Sequence, residues 1–202
     1  MKKLALCCII LQSCSTESTV NNSELKAITE RPDSSTRFIP SYEKMTAFQS
    51  QVTRIILGGT SISNEYIHLD ALWRSSQRNG MADFPYHYVV GKKSSGTWTA
   101  QALRSIRFRP AVCFNNNQRS IGIGVSGFYN NRGEQPLPRA KAELLQLTRH
   151  LKGQFSQLKD VYVSHITRNG CELIKLSDNV NFKSTSLGLL EIASEMEKVL
   201  NQ

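Results

Sequence analysis

The sequence predicts one α/β domain, a β-sheet covered by helices, over residues 49–202. Three observations predict it. Short apolar runs of strand length stop at glycine or turn residues. Amphipathic stretches of helical length lie between them. The chain has 202 residues, 40% of them hydrophobic, enough for one sizeable domain. That composition excludes a collagen, a coiled coil and a wholly disordered chain.

The elements follow in order. Arg54-Ile55-Ile56-Leu57 is a short apolar run ended by Gly58-Gly59, which predicts a buried strand stopping at a turn. Asn64 is a candidate cap for a helix from Glu65 to Arg78, with Ile67, Leu69, Leu72 and Trp73 as its apolar contacts and Asn79-Gly80 as its stop. Tyr86 to Gly91 (YHYVVG) predicts a second strand. Ser120 to Phe128 (SIGIGVSGF) predicts a third, whose glycines imply close approach by another backbone element. Pro138 opens a helix to Phe155, with Ala142, Leu145, Leu147 and Leu151 on its apolar surface. Val161 to Ile166 (VYVSHI) predicts a fourth strand. Ser186 caps a closing helix from Leu187 to Leu200, where Leu189, Ile192, Met196 and Leu200 recur about once per turn.

The first residues address the compartment. Met1-Lys2-Lys3 is a basic start and Leu4 to Leu11 an apolar run, shorter than the roughly 20 residues a membrane span needs. Residues 1–13 therefore read as a secretory signal peptide. Leu11-Gln12-Ser13-Cys14 resembles a bacterial lipobox, with Gln12 as its departure. The resemblance implies cleavage before Cys14 and an N-terminal lipid anchor on that thiol. Ser15, in place of Asp, resembles the enteric sorting signal for the outer membrane, so the expected site is an outer-membrane lipoprotein facing the periplasm. Residues 14–48 are rich in Ser, Thr, Asn and Glu and read as a flexible tether, although Phe38, Ile39 and Tyr42 would let part of it pack on the domain.

The net charge is +9, and removal of Lys2 and Lys3 lowers it to +7. Such a balance suits an anionic partner: nucleic acid, an acidic membrane face or a wall polymer. No helix-turn-helix, zinc-finger spacing or RNP-like stretch supports nucleic acid. Cleavage also leaves Cys14, Cys113 and Cys171. With Cys14 lipidated, the other two could pair as a disulfide, or one could be a ligand or a nucleophile.

Four segments in order resemble the zinc-dependent N-acetylmuramoyl-L-alanine amidases of the type-2 class, the family that includes phage amidase lysozymes and peptidoglycan recognition proteins. Residues 54–60 (RIILGGT) stand where the family has a strand ending in His-His-Thr. Residues 79–90 (NGMADFPYHYVV) resemble its Gly-Trp-x-Asp-x-Gly-Tyr-His-Phe segment. Residues 120–128 resemble Ser-Ile-Gly-Ile with Gly-Asn-Phe, and Val163-Ser164-His165 resembles the strand ending in Gly-His-Arg. The resemblance spans residues 50–182 and implies a central mixed β-sheet flanked by helices, with peptidoglycan or a muropeptide as ligand.

It also implies a zinc site, where three protein ligands leave a fourth position for an activated water. His165 matches the second ligand and Cys171 the third, with a shorter intervening loop. Tyr86 matches the catalytic tyrosine, and Arg168 lies where an assisting cation stands. The first ligand is lost, because Gly58 and Gly59 have no side chain, and Val112 replaces a histidine that lines the cleft. Cys113 falls in the loop over the cleft, as a ligand, as a disulfide partner of Cys171 that would close the site against metal, or as a small buried residue; the last two readings are favoured. His87 is expected to be buried and hydrogen-bonded, His150 solvated or capping, and His68 and Asp70 away from the metal. Arg104, Arg107, Arg109 and Arg119 flank the cleft loop. With Asn115, Asn116 and Asn117 they are candidates for wall binding, or simply a solvated basic loop.

The expected function is therefore a cell-envelope lipoprotein whose amidase-like domain engages peptidoglycan with impaired or lost zinc catalysis. The alternative is an active zinc amidase that cuts the muramic acid–L-Ala bond. A metal-free hydrolase pairing Cys171 or Cys113 with His165 is a third, less favoured reading.

Overall fold

The computed structural model describes residues 51–60, 64–81, 83–106, 108–127, 138–167, 170–178 and 186–202. Among these residues the chain forms six strands and three helices. They are β1 (Arg54–Gly59), α1 (Leu69–Arg78), β2 (Tyr88–Lys92), β3 (Trp98–Ala102), β4 (Ser120–Val125), α2 (Pro138–Gln154), β5 (Asp160–Thr167), β6 (Gly170–Ile174) and α3 (Ser186–Leu200). The signal peptide and tether expected over residues 1–48, including Cys14, lie outside the described residues. No helix among the described residues is long and apolar enough to cross a membrane.

The strands make one mixed sheet in the order β3-β2-β4-β1-β5-β6. The four inner strands run parallel, and each edge strand is added antiparallel, β3 on β2 and β6 on β5. β1 sits between β4 and β5, pairing Leu57 with Ile123 on one side and Val163 on the other. A strand paired on both edges and covered on both faces carries apolar residues without alternation. That is why Ile55, Ile56 and Leu57 are all 0% exposed.

The two faces hold separate cores. Leu57, Ile123, Val125 and Val163 pack with Leu144 and Leu151 of α2 and Leu190, Met196 and Leu200 of α3. On the opposite face, Leu72 of α1 packs with Phe84, Tyr86, Val89 and Leu103, and Val112 joins from the loop before β4. This second face, toward the carboxyl ends of β1 and β4, carries the candidate site.

The expected α/β sheet flanked by helices is the observed architecture, with boundary differences that have local causes. α1 starts at Leu69, not Glu65, because Asn64 closes a local turn instead: its Oδ1 accepts the Tyr66 N–H at 3.1 Å. The next residues bond to β2, Ile67 N–H to the Lys92 carbonyl at 2.8 Å and Lys92 N–H to the Glu65 carbonyl at 2.7 Å. β3 and β6 were not anticipated. Both are short edge strands of mixed polarity. The end of the third predicted strand at Phe128 and the capping side chain of Ser186 fall outside the described residues.

Candidate functional site

Alternation along β5 decides which of its residues face the site. Leu57 pairs with Val163, so Gly58 of β1 lies beside Ser164. Successive strand side chains point to opposite faces. Ser164 therefore faces the side of Gly58, whereas His165 shares the face of Val161 and Val163, which are buried beneath the helices. A β-carbon placed on Gly58 would lie 2.9 Å from Ser164 Oγ, 3.1 Å from Val112 Cγ1 and 3.2 Å from Tyr86 Cε1. The sheet floor here is glycine because Val112 and Tyr86 fill the space above it. Gly122 is closed in the same way, with its β-carbon position 2.6 Å from Val112 Cγ2 and 2.7 Å from Pro110 Cβ.

Cys113 and Cys171 form a disulfide with a Cα–Cα separation of 5.3 Å. Ile166 pairs with Cys171 across the β5–β6 hairpin, so Cys171 stands on the same face as Ser164. The bond pins the loop to β6 directly after Val112. The loop tip is a turn built by asparagines. Asn116 N–H donates to the Cys113 carbonyl at 3.0 Å, and Cys113 N–H donates to Asn117 Oδ1 at 2.9 Å. Asn115 and Arg119 take positive φ values of 66° and 56°, a region that costs a non-glycine residue roughly 1–2 kcal/mol. Arg54 holds the far end of the loop, its Nη2 donating to the Asn116 carbonyl at 2.8 Å and its Nε to Ser120 Oγ at 2.9 Å.

Tyr86 and His87 are both buried and diverge. The Tyr86 hydroxyl donates to the Gly59 carbonyl at 2.8 Å, and burial pushes its pKa well up. His87 is 0% exposed. Its Nδ1 accepts the Gly122 N–H at 3.0 Å and its Nε2–H donates to the Phe108 carbonyl at 2.7 Å. These bonds require the neutral ring. Burial lowers the His87 pKa to about 4; the Phe108 carbonyl raises it and the Arg104 charge lowers it further. His87 is the buried, hydrogen-bonded histidine the sequence implied.

The other expected site residues are placed as follows. His165 is corrected: strand alternation turns it away from Gly58, Tyr86 and Cys171, so it cannot join Cys171 as a ligand on that face. Cys171 is corrected as well, because its sulfur is bonded to Cys113 and offers no thiolate. The same bond and the same alternation take apart the cysteine–histidine pair of the thiol hydrolase. Asn116 is half-buried, and its side-chain amide is directed at the Cys171 carbonyl, 3.4 Å away. It braces the loop rather than presenting itself to a ligand. Asn115 and Arg119 are exposed and Arg109 is half-buried. Arg104 is buried, donates to the Phe84 carbonyl at 2.8 Å and stands 3.7 Å from Asp83, so it serves the fold. His68 precedes α1, its Nε2 2.9 Å from Asn64 Oδ1, and His150 is exposed beside Gln154. Arg107 and Arg168 lie outside the described residues.

The zinc centre implied by the sequence resemblance does not fit these residues. The first ligand position is a glycine over which Val112 and Tyr86 pack closely, the residue facing it is Ser164, and Cys171 is in a disulfide. Among the described residues no group of three or more His, Cys, Asp or Glu side chains is placed to hold a metal ion.

No protein-family model matches the chain, and no curated protein matches it in sequence. Among solved structures it is similar to the N-acetylmuramoyl-L-alanine amidase LysC from Clostridium intestinale URNW, at 18% identity and a TM-score of 0.47 over 78% of this chain and 93% of that one. It is similar to the endolysin amidase LysCS of the same organism, at 18% identity and a TM-score of 0.46 over 57% and 70%. A third is the ectodomain complex of peptidoglycan recognition proteins LCa and LCx bound to tracheal cytotoxin, at 16% identity and a TM-score of 0.44 over 69% and 81%.

Proposed function

We propose that this chain is an exported, lipid-anchored envelope protein that binds peptidoglycan through an amidase-like cleft and does not hydrolyse it. The observation that carries the reading is the closed floor at Gly58. Hydrolysis by a zinc-bound water needs three converging ligands and an open fourth position. Here the first ligand position is a glycine with Val112 and Tyr86 packed over it, and Cys171 is in a disulfide. Binding needs less: a groove, hydrogen-bonding groups and cations for muramyl and peptide carboxylates. The four motif segments supply the groove's order along the chain, and Arg109, Arg119 and Asn115 are the groups left on its loop side. The net charge of +9 favours an anionic polymer. Anchoring follows from Cys14 in its lipobox-like setting.

The test is a digestion. The purified chain is incubated with sacculi and zinc, with and without chelator, and soluble products are read by mass spectrometry. The expected result is protein that co-sediments with sacculi and releases no stem peptides. Stem peptides that vanish with chelator would establish an active amidase and overturn the reading. Failure to co-sediment would remove the wall ligand. For the anchor, labelled palmitate is expected in the wild type and absent from Cys14→Ser.

A further inference from the structure

We propose that the Cys113–Cys171 disulfide is a redox-operated latch that keeps Val112 seated on the glycine floor, and that a dithiol reductant opens it. The inference stands on the loop's geometry and does not depend on the wall-binding reading.

Four observations carry it. The disulfide joins the loop to an edge strand 58 residues away in sequence. Val112, the residue before Cys113, closes both Gly58 and Gly122. The loop tip holds Asn115 in a left-handed backbone conformation, φ 66°, that a covalent tie can enforce and a free tip would relax. Beside the disulfide, the Asn116 amide reaches toward β6 only at 3.4 Å from the Cys171 carbonyl, the long end of hydrogen-bond range. The segment before the tip is fixed independently, by Ala111 N–H on the Pro85 carbonyl at 2.8 Å and by His87 on Phe108. The segment after it is held by Arg54 of β1, whose Nη2 donates to the Asn116 carbonyl at 2.8 Å and to the Gln118 carbonyl at 3.0 Å. The moving part is thus Val112 to Asn115.

The two sulfurs differ in access. Cys113 is 0% exposed, whereas Cys171 is partly exposed on β6. A reductant thiolate attacks Cys171 Sγ, the disulfide bond breaks, and Cys113 leaves as a thiolate that takes up a proton. The second thiol of the reductant then displaces Cys171, giving two protein thiols and one oxidised dithiol. With the tie gone, Val112 can leave Gly58 and Gly122, and the cleft floor is uncovered.

The test has two readings on the full chain. In the first, the folded protein is treated with dithiothreitol without denaturant, trapped with N-ethylmaleimide, and mapped at Cys113 and Cys171. Labelling with helical circular dichroism unchanged is expected. Labelling only after denaturant overturns the latch and makes the bond a buried staple. In the second, chymotrypsin is applied to the oxidised chain and to a Cys113→Ala/Cys171→Ala variant. Phe114, 59% exposed at the loop tip, is the reporter, and Phe155 beneath the helices is the reference. The variant is expected to be cut after Phe114 at least about tenfold faster relative to Phe155. An unchanged ratio, or equal acceleration at both sites, overturns the proposal.

Discussion

Gly58 and Ser164 lie side by side on one face of β1 and β5, with Ser164 Oγ 2.9 Å from the place a Gly58 β-carbon would take. The contact fixes the face of the sheet on which chemistry could occur, and it excludes the neighbouring imidazole. His165→Ala is therefore expected to leave sacculus binding within about 0.5 kcal/mol of wild type, as for a residue outside the site. A tenfold loss in a co-sedimentation titration would return His165 to it.

The glycine floor gives a graded prediction. At Gly58 the closest atom is a serine hydroxyl, which can rotate away. At Gly122 it is the Val112 side chain at 2.6 Å and Pro110 at 2.7 Å, both on a tethered loop. Gly122→Ala is expected to cost about 1–3 kcal/mol, the range for overpacking, and Gly58→Ala less. Urea unfolding at fixed pH decides it; equal costs would mean the loop yields freely.

Tyr86→Phe removes the hydroxyl donated to the Gly59 carbonyl and nothing else. We expect a loss of about 1 kcal/mol in stability, the net worth of one hydrogen bond, with sacculus binding retained. Binding lost at unchanged stability would place the phenol on the ligand.

His87 makes stability depend on pH, and the sign is fixed by the direction of its shift. Its pKa is lowered from 6.5 to about 4 in the folded chain. Between those values the unfolded chain takes up a proton that the folded chain refuses. The stabilisation is complete above pH 6.5 and is lost as pH falls toward 4, by about 3 kcal/mol at most. Urea midpoints at pH 7 and pH 5 should differ in that direction, and the difference should shrink in His87→Gln. A midpoint independent of pH would contradict the burial argument.

Much of the fold was legible because its elements announce themselves locally. Arg54-Ile55-Ile56-Leu57 before two glycines is a buried strand by run length, and Pro138 marks the start of α2. β3 and β6 carry no such run, since an edge strand needs one apolar face at most. Their sequence signals are Ser94-Ser95-Gly96, the turn between Lys92 and Trp98, and Gly170, the first residue of β6. The site was less legible. Matching a motif by residue type makes His165 a metal ligand, whereas a one-residue offset in a strand changes the face. Ser164 is visible only through its register with Leu57 and Val163. The sequence leaves three readings for Cys113, and the 5.3 Å between its Cα and that of Cys171 selects the disulfide.

β1 is made early and finished late. Arg54 pairs with Ser120 on one side and with Asp160 on the other, so the strand at the middle of the sheet is not paired on both sides until two distant segments have been synthesised. Contacts of such span close slowly. A chain truncated before Asp160 would carry Ile55, Ile56 and Leu57 along an open edge, a template for pairing with other molecules. Nascent or clipped forms of this protein should accordingly be aggregation-prone and depend on chaperones, while the full-length chain, with Ile55, Ile56 and Leu57 paired on both sides, should not.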